Sequence, residues 1–207
     1  MSRSVSVQTA AATWEAENET LESVEARIHD GVPRAKLRER GQFLAKRIFE
    51  LFPWFAINPQ RRAVEIGPGV GYVMEGFAAL TGSDQIIGLD VAAGMIRHAR
   101  RRLSRDGLSP VKFVFEHYDG IRFPWPDGSI GAFYSVAAMQ HIPKLYAYNL
   151  LFEMQRCLAP DGCAAIHTML WRQLSAHRRS ERESATSSPM SWGTGITAGT
   201  APRSRHC

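Results

Sequence analysis

A glycine-rich loop next to an acidic residue is the feature of this sequence that most clearly indicates chemistry. Residues 64–72 read Val-Glu-Ile-Gly-Pro-Gly-Val-Gly-Tyr, with Glu65 two positions before the first of the glycines Gly67, Gly69 and Gly71. Glycine permits a tight turn and lets a ligand approach the backbone. A carboxylate beside such a loop can hold a cationic group, while backbone N–H groups favour an anionic one.

Three kinds of ligand compete for a glycine-rich loop between a strand and a helix, and spacing separates them. A P-loop for nucleotide phosphates ends in Gly-Lys-Ser/Thr, which is missing here. The GxGxxG pattern of nicotinamide-dependent enzymes would need its last glycine where the chain has Tyr72. The observed GxGxG spacing behind an acid fits S-adenosylmethionine, whose amino-acid end carries an ammonium and a carboxylate. An ordinary strand-to-helix turn is the alternative without any ligand.

Two further acids follow the next two predicted strands. Asp90 comes 25 residues after Glu65, close to the ~20-residue spacing at which an acid meets a ribose hydroxyl in nucleotide-binding βαβ folds. It also stands where it can cap the helix that follows. Asp119 follows the third strand, where it can accept a hydrogen bond from an adenine amino group or form a turn before Gly120.

Strands alternating with helices must position these acids. Short apolar runs predict strands over residues 63–66, 85–89, 111–115, 130–136 and 163–169, the last after a turn at Asp161-Gly162. Helical periodicity predicts helices over residues 72–80, 92–104 and 144–158. The alternation predicts an α/β, Rossmann-like parallel sheet with right-handed crossovers, which forms a ligand-binding domain over residues 61–170.

A helical extension is predicted ahead of the sheet, over residues 13–60. Its first helix covers 13–29 with Thr13 as the N-cap, and its second covers 33–52. Residues 1–12 are predicted to be disordered.

The positive charge of the chain is concentrated near its end. Lys and Arg number 25 against 20 Asp and Glu, a net charge of +5, but residues 171–207 alone carry six Arg and two Glu. Residues 1–170 are therefore nearly neutral, so the net charge does not indicate a nucleic-acid partner and says little about the substrate. The segment 171–207 is rich in Ser, Thr, Gly and Pro, so it is predicted to be a disordered basic tail.

Composition excludes several other classes of protein. The 207 residues, 44% of them hydrophobic, suit one compact domain with appendages. No apolar run approaches the ~18 residues of a transmembrane helix, and the first 14 residues lack the apolar core of a secretory signal. Cys157, Cys163 and Cys207 form no CxxC pair, so neither a disulfide scaffold nor a metal site is expected. A reducing cytoplasm is the expected compartment.

These motifs together resemble the class I S-adenosylmethionine-dependent methyltransferases, in particular the branch that acts on small molecules. The resemblance spans about residues 63–169, roughly half of the chain. Three motifs follow the glycine loop in the family's order: Gly88-Leu-Asp90 with Met95-Ile96, the loop Asp119–Ser129, and Glu153-Met-Gln-Arg-Cys-Leu-Ala-Pro-Asp-Gly162. The implied reaction is methyl transfer from S-adenosylmethionine to an oxygen, nitrogen or carbon atom of a small molecule.

The resemblance also implies roles for single residues. The methionine end would be held by Glu65, Gly67, Gly69 and Gly71, and the ribose by Asp90. The adenine would lie between Val91 and Ile121 with Asp119 at its amino group, and Ser135 would meet the cofactor at the end of the fourth strand. The N-terminal helices would form a lid over the acceptor.

Few side chains outside these motifs are placed for chemistry. His141, after the fourth strand, is the candidate general base, which only a protonated acceptor requires. The helix over 92–104 turns its apolar residues inward, so its arginines are predicted to be solvated: Arg97, Arg100, Arg101, Arg102 and, just beyond, Arg105.

Two features depart from the family's pattern. The family commonly has an acid at the start of the fourth strand, where this chain has Ile130-Gly131. Its sheet usually continues after the fifth strand with a helix and an antiparallel strand pair, which the basic tail replaces, so an incomplete sheet edge is predicted. A non-catalytic, truncated remnant of a methyltransferase is therefore the alternative function, followed by a nicotinamide-dependent oxidoreductase.

Overall fold

The computed structural model describes residues 12–55 and 57–167. The strands are β1 (Ala63–Ile66), β2 (Ile86–Asp90), β3 (Phe113–His117), β4 (Ile130–Val136) and β5 (Leu158–His167). The helices are α1 (Leu21–Ile28), α2 (Leu37–Leu51), α3 (Tyr72–Thr81), α4 (Ala93–Arg105) and α5 (Lys144–Cys157), with 3₁₀ turns at Arg34–Lys36 and Met139–His141. The predicted tail, the predicted incomplete sheet edge and residues 1–11 of the predicted disordered N-terminal segment lie outside the described residues.

The five strands form one parallel sheet in the order β3-β2-β1-β4-β5. The chain runs outward from β1 to β3 on one side and then continues with β4 and β5 on the other. Strand order therefore reverses between β1 and β4, and open α/β sheets bind their ligands in the crevice at such a point. The predicted Rossmann-like α/β fold is confirmed, and its topology places the glycine loop at this crevice.

Helices cover both faces of the sheet. On one face, Ala63 of β1 and Tyr134 of β4 pack in a core cluster with Ile48 of α2 and Phe77 of α3. On the other, Val64 and its neighbours pack against α5. Successive side chains of a strand point to opposite faces, so Glu65 lies on the same face as Ala63, beneath α2 and α3.

The first helix is shorter than the sequence predicts. Helix α1 begins at Leu21, and Thr20 caps it by accepting a hydrogen bond from the N–H of Ser23 at 3.1 Å. The prediction of Thr13 as the cap is wrong because Ala16 adopts a left-handed conformation, with φ of 53°. Its carbonyl oxygen lies 3.0 Å from Nε2 of His98, so this stretch is held against α4 instead of continuing the helix.

The fifth strand begins earlier than predicted. Leu158 pairs with Ile130, and Cys163 pairs with Ala132. A step of two residues along β4 is therefore matched by a step of five residues along β5. The predicted Asp161-Gly162 turn is instead a bulge within β5, because the extra residues are accommodated without leaving the sheet. The predicted bounds of β1 and β4 are confirmed to the residue.

The prediction that all the arginines of α4 are solvated is wrong for two of them. Arg102 is fully buried, and the side chain of Arg105 is 22% exposed. Helix α1 and the start of α3 cover this part of α4, because Glu25 and Tyr72 bind these arginines.

Candidate functional site

The structure brings most of the predicted site residues to one edge of the sheet. The following lie at the carboxyl ends of β1, β2 and β4 or directly after them: Glu65, Gly67, Gly69, Gly71, Asp90, Val91 and Ser135. Asp119 and Ile121 lie in the loop after β3, and His141 ends the 3₁₀ turn after β4. Their assignment to a bound ligand stays a prediction.

The glycine loop owes its shape to left-handed backbone and to its own hydrogen bonds. Gly71 has a φ of 87°, and a Cβ atom there would lie 2.6 Å from Cζ of Phe115. The N–H of Gly71 donates to Pro68 O and that of Gly67 donates to Leu89 O, both at 2.9 Å. These two N–H groups are therefore used within the protein, and the contribution of the two glycines to a ligand site is their lack of a side chain.

Glu65 is a buried carboxyl group with an unsatisfied oxygen. Its residue is 1% exposed, and among the described residues Oε2 has no hydrogen-bond partner. Burial raises the pKa of Glu65 to about 8. The hydroxyl of Tyr134, the residue paired with Glu65 on β4, lowers this pKa in part, although it does not reach hydrogen-bond geometry. An unpaired buried acid is costly, so the site fits a ligand that carries a cationic group.

Asp90 ends β2 and shapes the turn into α4. Its Oδ1 accepts a hydrogen bond from the N–H of Ala92 at 2.9 Å, which forms a turn before the helix. The prediction that Asp90 caps α4 is wrong, because Ala92 is the N-cap and no side chain caps this helix. Desolvation raises the pKa of Asp90 to about 6, and the backbone N–H groups and nearby His117 limit this rise. A carboxylate held rigidly at the carboxyl end of the second strand remains suited to a ribose diol.

The loop after β3 contains one residue that sequence reasoning missed. Oδ1 of Asp119 accepts hydrogen bonds from the N–H groups of Ile121 at 2.8 Å and Arg122 at 3.0 Å, so Asp119 forms a turn and its pKa is lowered. Tyr118 donates its N–H to Asp90 O at 3.1 Å. Burial, with both acids nearby, raises the pKa of its hydroxyl. Tyr118 thus ties the main chain after β3 to the end of β2, and its position directly before Asp119 was the available signal.

Ser135 and the residues after it close the crevice on the β4 side. The buried hydroxyl of Ser135 donates to Ile66 O at 3.0 Å, which ties β4 to the strand end that precedes the glycine loop. Ala137 is left-handed, with φ of 56°. A side chain at Gly67 would collide with Ala138. A strained residue at this point is typical of a functional site.

A short N-terminal segment, Trp14–Ala16, bridges the two sides of the crevice; we call it the strap. Oε1 of Glu15 accepts a hydrogen bond from the N–H of Gly94 at 2.7 Å, at the start of α4. The ring of Trp14 stacks edge-on against that of His141, with centroids 5.1 Å apart. Because α4 follows β2 and His141 follows β4, the strap runs between the flanks of the crevice. His141 is exposed, and its Nε2 also lies 3.4 Å from Nε2 of Gln140.

Gly94→Ala is expected to detach the strap without unfolding the sheet. A Cβ atom at this position would overlap the carbonyl oxygen of Glu15, which is backbone and cannot rotate away. Hydrogen exchange of the amides of residues 14–17 should accelerate by about tenfold or more. Arg97→Gln is the matched control, because it removes only the exposed ion pairs to Glu15 and Glu17. Equal exchange in wild type and Gly94→Ala would contradict the account of the strap.

A small apolar cleft lies beside the crevice. Its walls come from the second half of α2 and from the ends of β4 and β5: Leu44, Arg47, Ile48, Leu51, Phe52, Val136 and His167. Arg47 forms an ion pair with Glu50, so the cleft offers mainly apolar surface. Val136 lies two residues after Tyr134 on the same face of β4, so the cleft lies on the side of the sheet that carries Glu65.

Residues 12–55 and 57–167 offer neither a metal site nor a membrane-spanning helix. In this part of the chain, no cluster of three His, Cys, Asp or Glu side chains is arranged to hold a metal ion. Nor does any helix of these ranges have the length and apolar content needed to cross a membrane.

Comparison with known proteins adds an independent observation. Residues 63–162, about half of the chain, match the model of a family described as a methyltransferase domain. A sterol 24-C-methyltransferase of Gibberella zeae is 29% identical over 114 residues, which are 55% of this chain and 29% of that protein. A malonyl-[acyl-carrier protein] O-methyltransferase of Halorhodospira halophila is 28% identical over 125 residues, 60% of this chain and 40% of that protein. The matches thus span less than half the length of these relatives.

A solved structure shares the fold. The geranyl diphosphate C-methyltransferase of Streptomyces coelicolor, in complex with Mg²⁺, geranyl diphosphate and S-adenosyl-L-homocysteine, superposes with a TM-score of 0.57 at 17% identity. The superposition covers 82% of this chain and 71% of that one. The family match and the ordered motifs agree with this likeness. Residues 63–162 therefore belong to the methyltransferase domain family, of the class I S-adenosylmethionine-dependent type.

Proposed function

We propose that this chain transfers a methyl group from S-adenosylmethionine to a small, mainly apolar acceptor. The observation that carries the proposal is Glu65, a buried acid with an unsatisfied oxygen beside the glycine loop of a methyltransferase domain. The nicotinamide-dependent alternative is disfavoured by the GxGxG spacing and by the family match. The cytoplasmic compartment expected from the sequence stays a prediction.

Different residues at the crevice would bind different parts of the cofactor. Glu65 would hold the ammonium, the three glycines would leave room for the methionine end, and Asp90 would accept from the ribose hydroxyls. Val91 and Ile121 would flank the adenine, with Asp119 at its amino group. Ser135 would support the cofactor site indirectly by holding the end of β1, because its hydroxyl already donates to Ile66 O.

Alignment is the main catalytic task of such a site. When bound, S-adenosylmethionine supplies an electrophilic methyl group on a sulfonium that leaves as a neutral thioether. The protein has to hold the acceptor atom in line, and proximity of this kind contributes roughly 7–11 kcal/mol. The strap would exclude water from the crevice. His141 would serve as general base for a hydroxyl acceptor, with Trp14 fixing its ring.

The acceptor class follows from the apolar cleft. It lies on the same face of the sheet as Glu65 and has four aliphatic or aromatic residues of α2 and its C-cap in its wall, so it would contact an apolar part of the acceptor. The names of the relatives, which include a sterol and a geranyl diphosphate methyltransferase, support an apolar acceptor.

Leu51→Lys tests this assignment in an assay with tritiated S-adenosylmethionine and a panel of alkyl and isoprenoid acceptors. We expect wild type to label an apolar acceptor, and the variant to raise its KM by about tenfold while leaving cofactor affinity unchanged. Leu80→Lys is the matched control, because Leu80 is also an exposed helical leucine but lies outside the cleft. Labelling of polar acceptors alone, or equal KM values in both variants, would refute the apolar acceptor.

A further inference from the structure

The glycine loop is held from behind by a buried arginine. Arg102 is 0% exposed, which is rare for an arginine and requires partners that offset the loss of hydration. Its Nη1 donates a hydrogen bond to Val70 O at 3.2 Å. Val70 lies between Gly69 and Gly71, so this hydrogen bond acts on the loop itself.

The same guanidinium also contacts the helix that the loop opens. Its Cζ atom lies 3.7 Å from the ring centroid of Tyr72, the first residue of α3. It forms ion pairs with Glu75, in the first turn of α3, and with Asp106, whose Oδ2 is 3.2 Å from Nε. One side chain of α4 therefore fixes the loop at Val70 and the start of α3 at two further points.

Tyr72 extends this contact to the N-terminal helix. Its hydroxyl donates to Oε1 of Glu25 at 2.7 Å, and Glu25, on α1, is 2% exposed. Nη2 of Arg105 donates to the same oxygen at 2.8 Å. Val24 of α1 packs in one apolar cluster with Val70 and Tyr72. A continuous set of contacts thus connects the N-terminal extension to the glycine loop.

We infer that Arg102 is a positioning residue for the cofactor, acting through Val70 O and the Tyr72 ring to keep the glycine loop in its binding conformation. This inference rests on the proposed function. Left-handed glycines give the loop many alternative conformations, so an external anchor sets how often the binding conformation is populated. Because the loop faces the methionine end of the cofactor, loss of the anchor should act on that end selectively.

The test compares two ligands that differ at that end. S-adenosylhomocysteine carries the amino-acid group, whereas methylthioadenosine keeps the adenosine part and lacks it. In calorimetric titrations, Arg102→Met should lose about tenfold in affinity for S-adenosylhomocysteine and less than about threefold for methylthioadenosine. Arg101→Met, on the exposed neighbouring residue of α4, should bind both ligands like wild type.

Arg102→Lys keeps the buried charge but not the planar group, so it should show the same selective loss to a smaller extent. If Arg102→Met does not fold, the Arg102→Lys variant tests the inference in its place. Equal losses for the two ligands would mean that Arg102 is merely structural, and unchanged affinity for S-adenosylhomocysteine would also overturn the inference. If wild type binds neither ligand, the proposed function fails instead.

Discussion

Glu65→Gln is expected to weaken S-adenosylmethionine binding by about 10- to 100-fold, because a charged hydrogen bond to the ammonium contributes roughly 1.5–3 kcal/mol. The same change should stabilise the protein without ligand at alkaline pH. Glutamine fills the same space but carries no charge that burial has to neutralise. A variant that binds the cofactor more weakly and yet has a higher melting temperature would show that Glu65 is a ligand-binding acid and not an ordinary core residue.

The pH dependence of this effect has a definite sign. The pKa of Glu65 is raised from 4.5 to about 8 in the folded chain, so the folded state binds the proton more tightly than the unfolded state. The stability linked to this proton is complete below about pH 4.5 and is lost as the pH rises to about 8. Thermal unfolding of the ligand-free protein between pH 5 and 9 should therefore favour Glu65→Gln increasingly up to about pH 8. Glu22→Gln, at an exposed acid of α1, is the control; a constant difference between Glu65→Gln and wild type over the whole range would contradict the assignment.

Asp90→Ala is expected to reduce cofactor affinity by about 10- to 100-fold while the domain stays folded, since hydrogen bonds from the ribose hydroxyls to a charged group are lost. Asp90→Asn is the informative partner, because an amide oxygen can still accept the hydrogen bond from Ala92 N–H that shapes the turn into α4. It should retain the stability of wild type and lose most of the affinity.

The titration of Asp90 provides a second check on the same residue. With its pKa raised to about 6, the carboxylate that accepts from the ribose forms mainly above that pH. Calorimetry with S-adenosylhomocysteine should therefore show affinity rising between pH 5 and 7 in wild type and a flatter profile in Asp90→Asn. Unchanged affinity in a folded Asp90→Ala variant would show that the ribose site lies elsewhere.

The parts of the fold that local pattern determines were predictable. Strands β1 and β4 are short, mainly apolar runs bounded by turn residues, and their limits follow from that pattern. Asp90 was identifiable because it follows the second strand at a spacing that the βαβ geometry sets. These elements carry most of the proposed cofactor site.

Contacts between distant segments were not predictable. The strap binds Gly94, 79 residues beyond Glu15, through the Glu15 carboxylate, and it contacts His98 and His141 through one carbonyl and one ring. Single contacts of this kind leave no periodic signal in the sequence. Arg102 lies seven residues after Met95, at the border of the apolar face of α4, but an arginine there is expected to reach solvent. Its burial depends on Tyr72, Glu75 and α1, which local sequence does not place there.

The central claim is that this chain binds S-adenosylmethionine at the carboxyl edge of its sheet. Calorimetric titration of the whole 207-residue chain with S-adenosylhomocysteine and, separately, with NADH tests it most directly. The account predicts saturable one-site binding of S-adenosylhomocysteine, a higher melting temperature in its presence, and no heat with NADH. Protein that is folded by near-ultraviolet circular dichroism but gives no heat at high micromolar S-adenosylhomocysteine, or is protected by NADH alone, would contradict it.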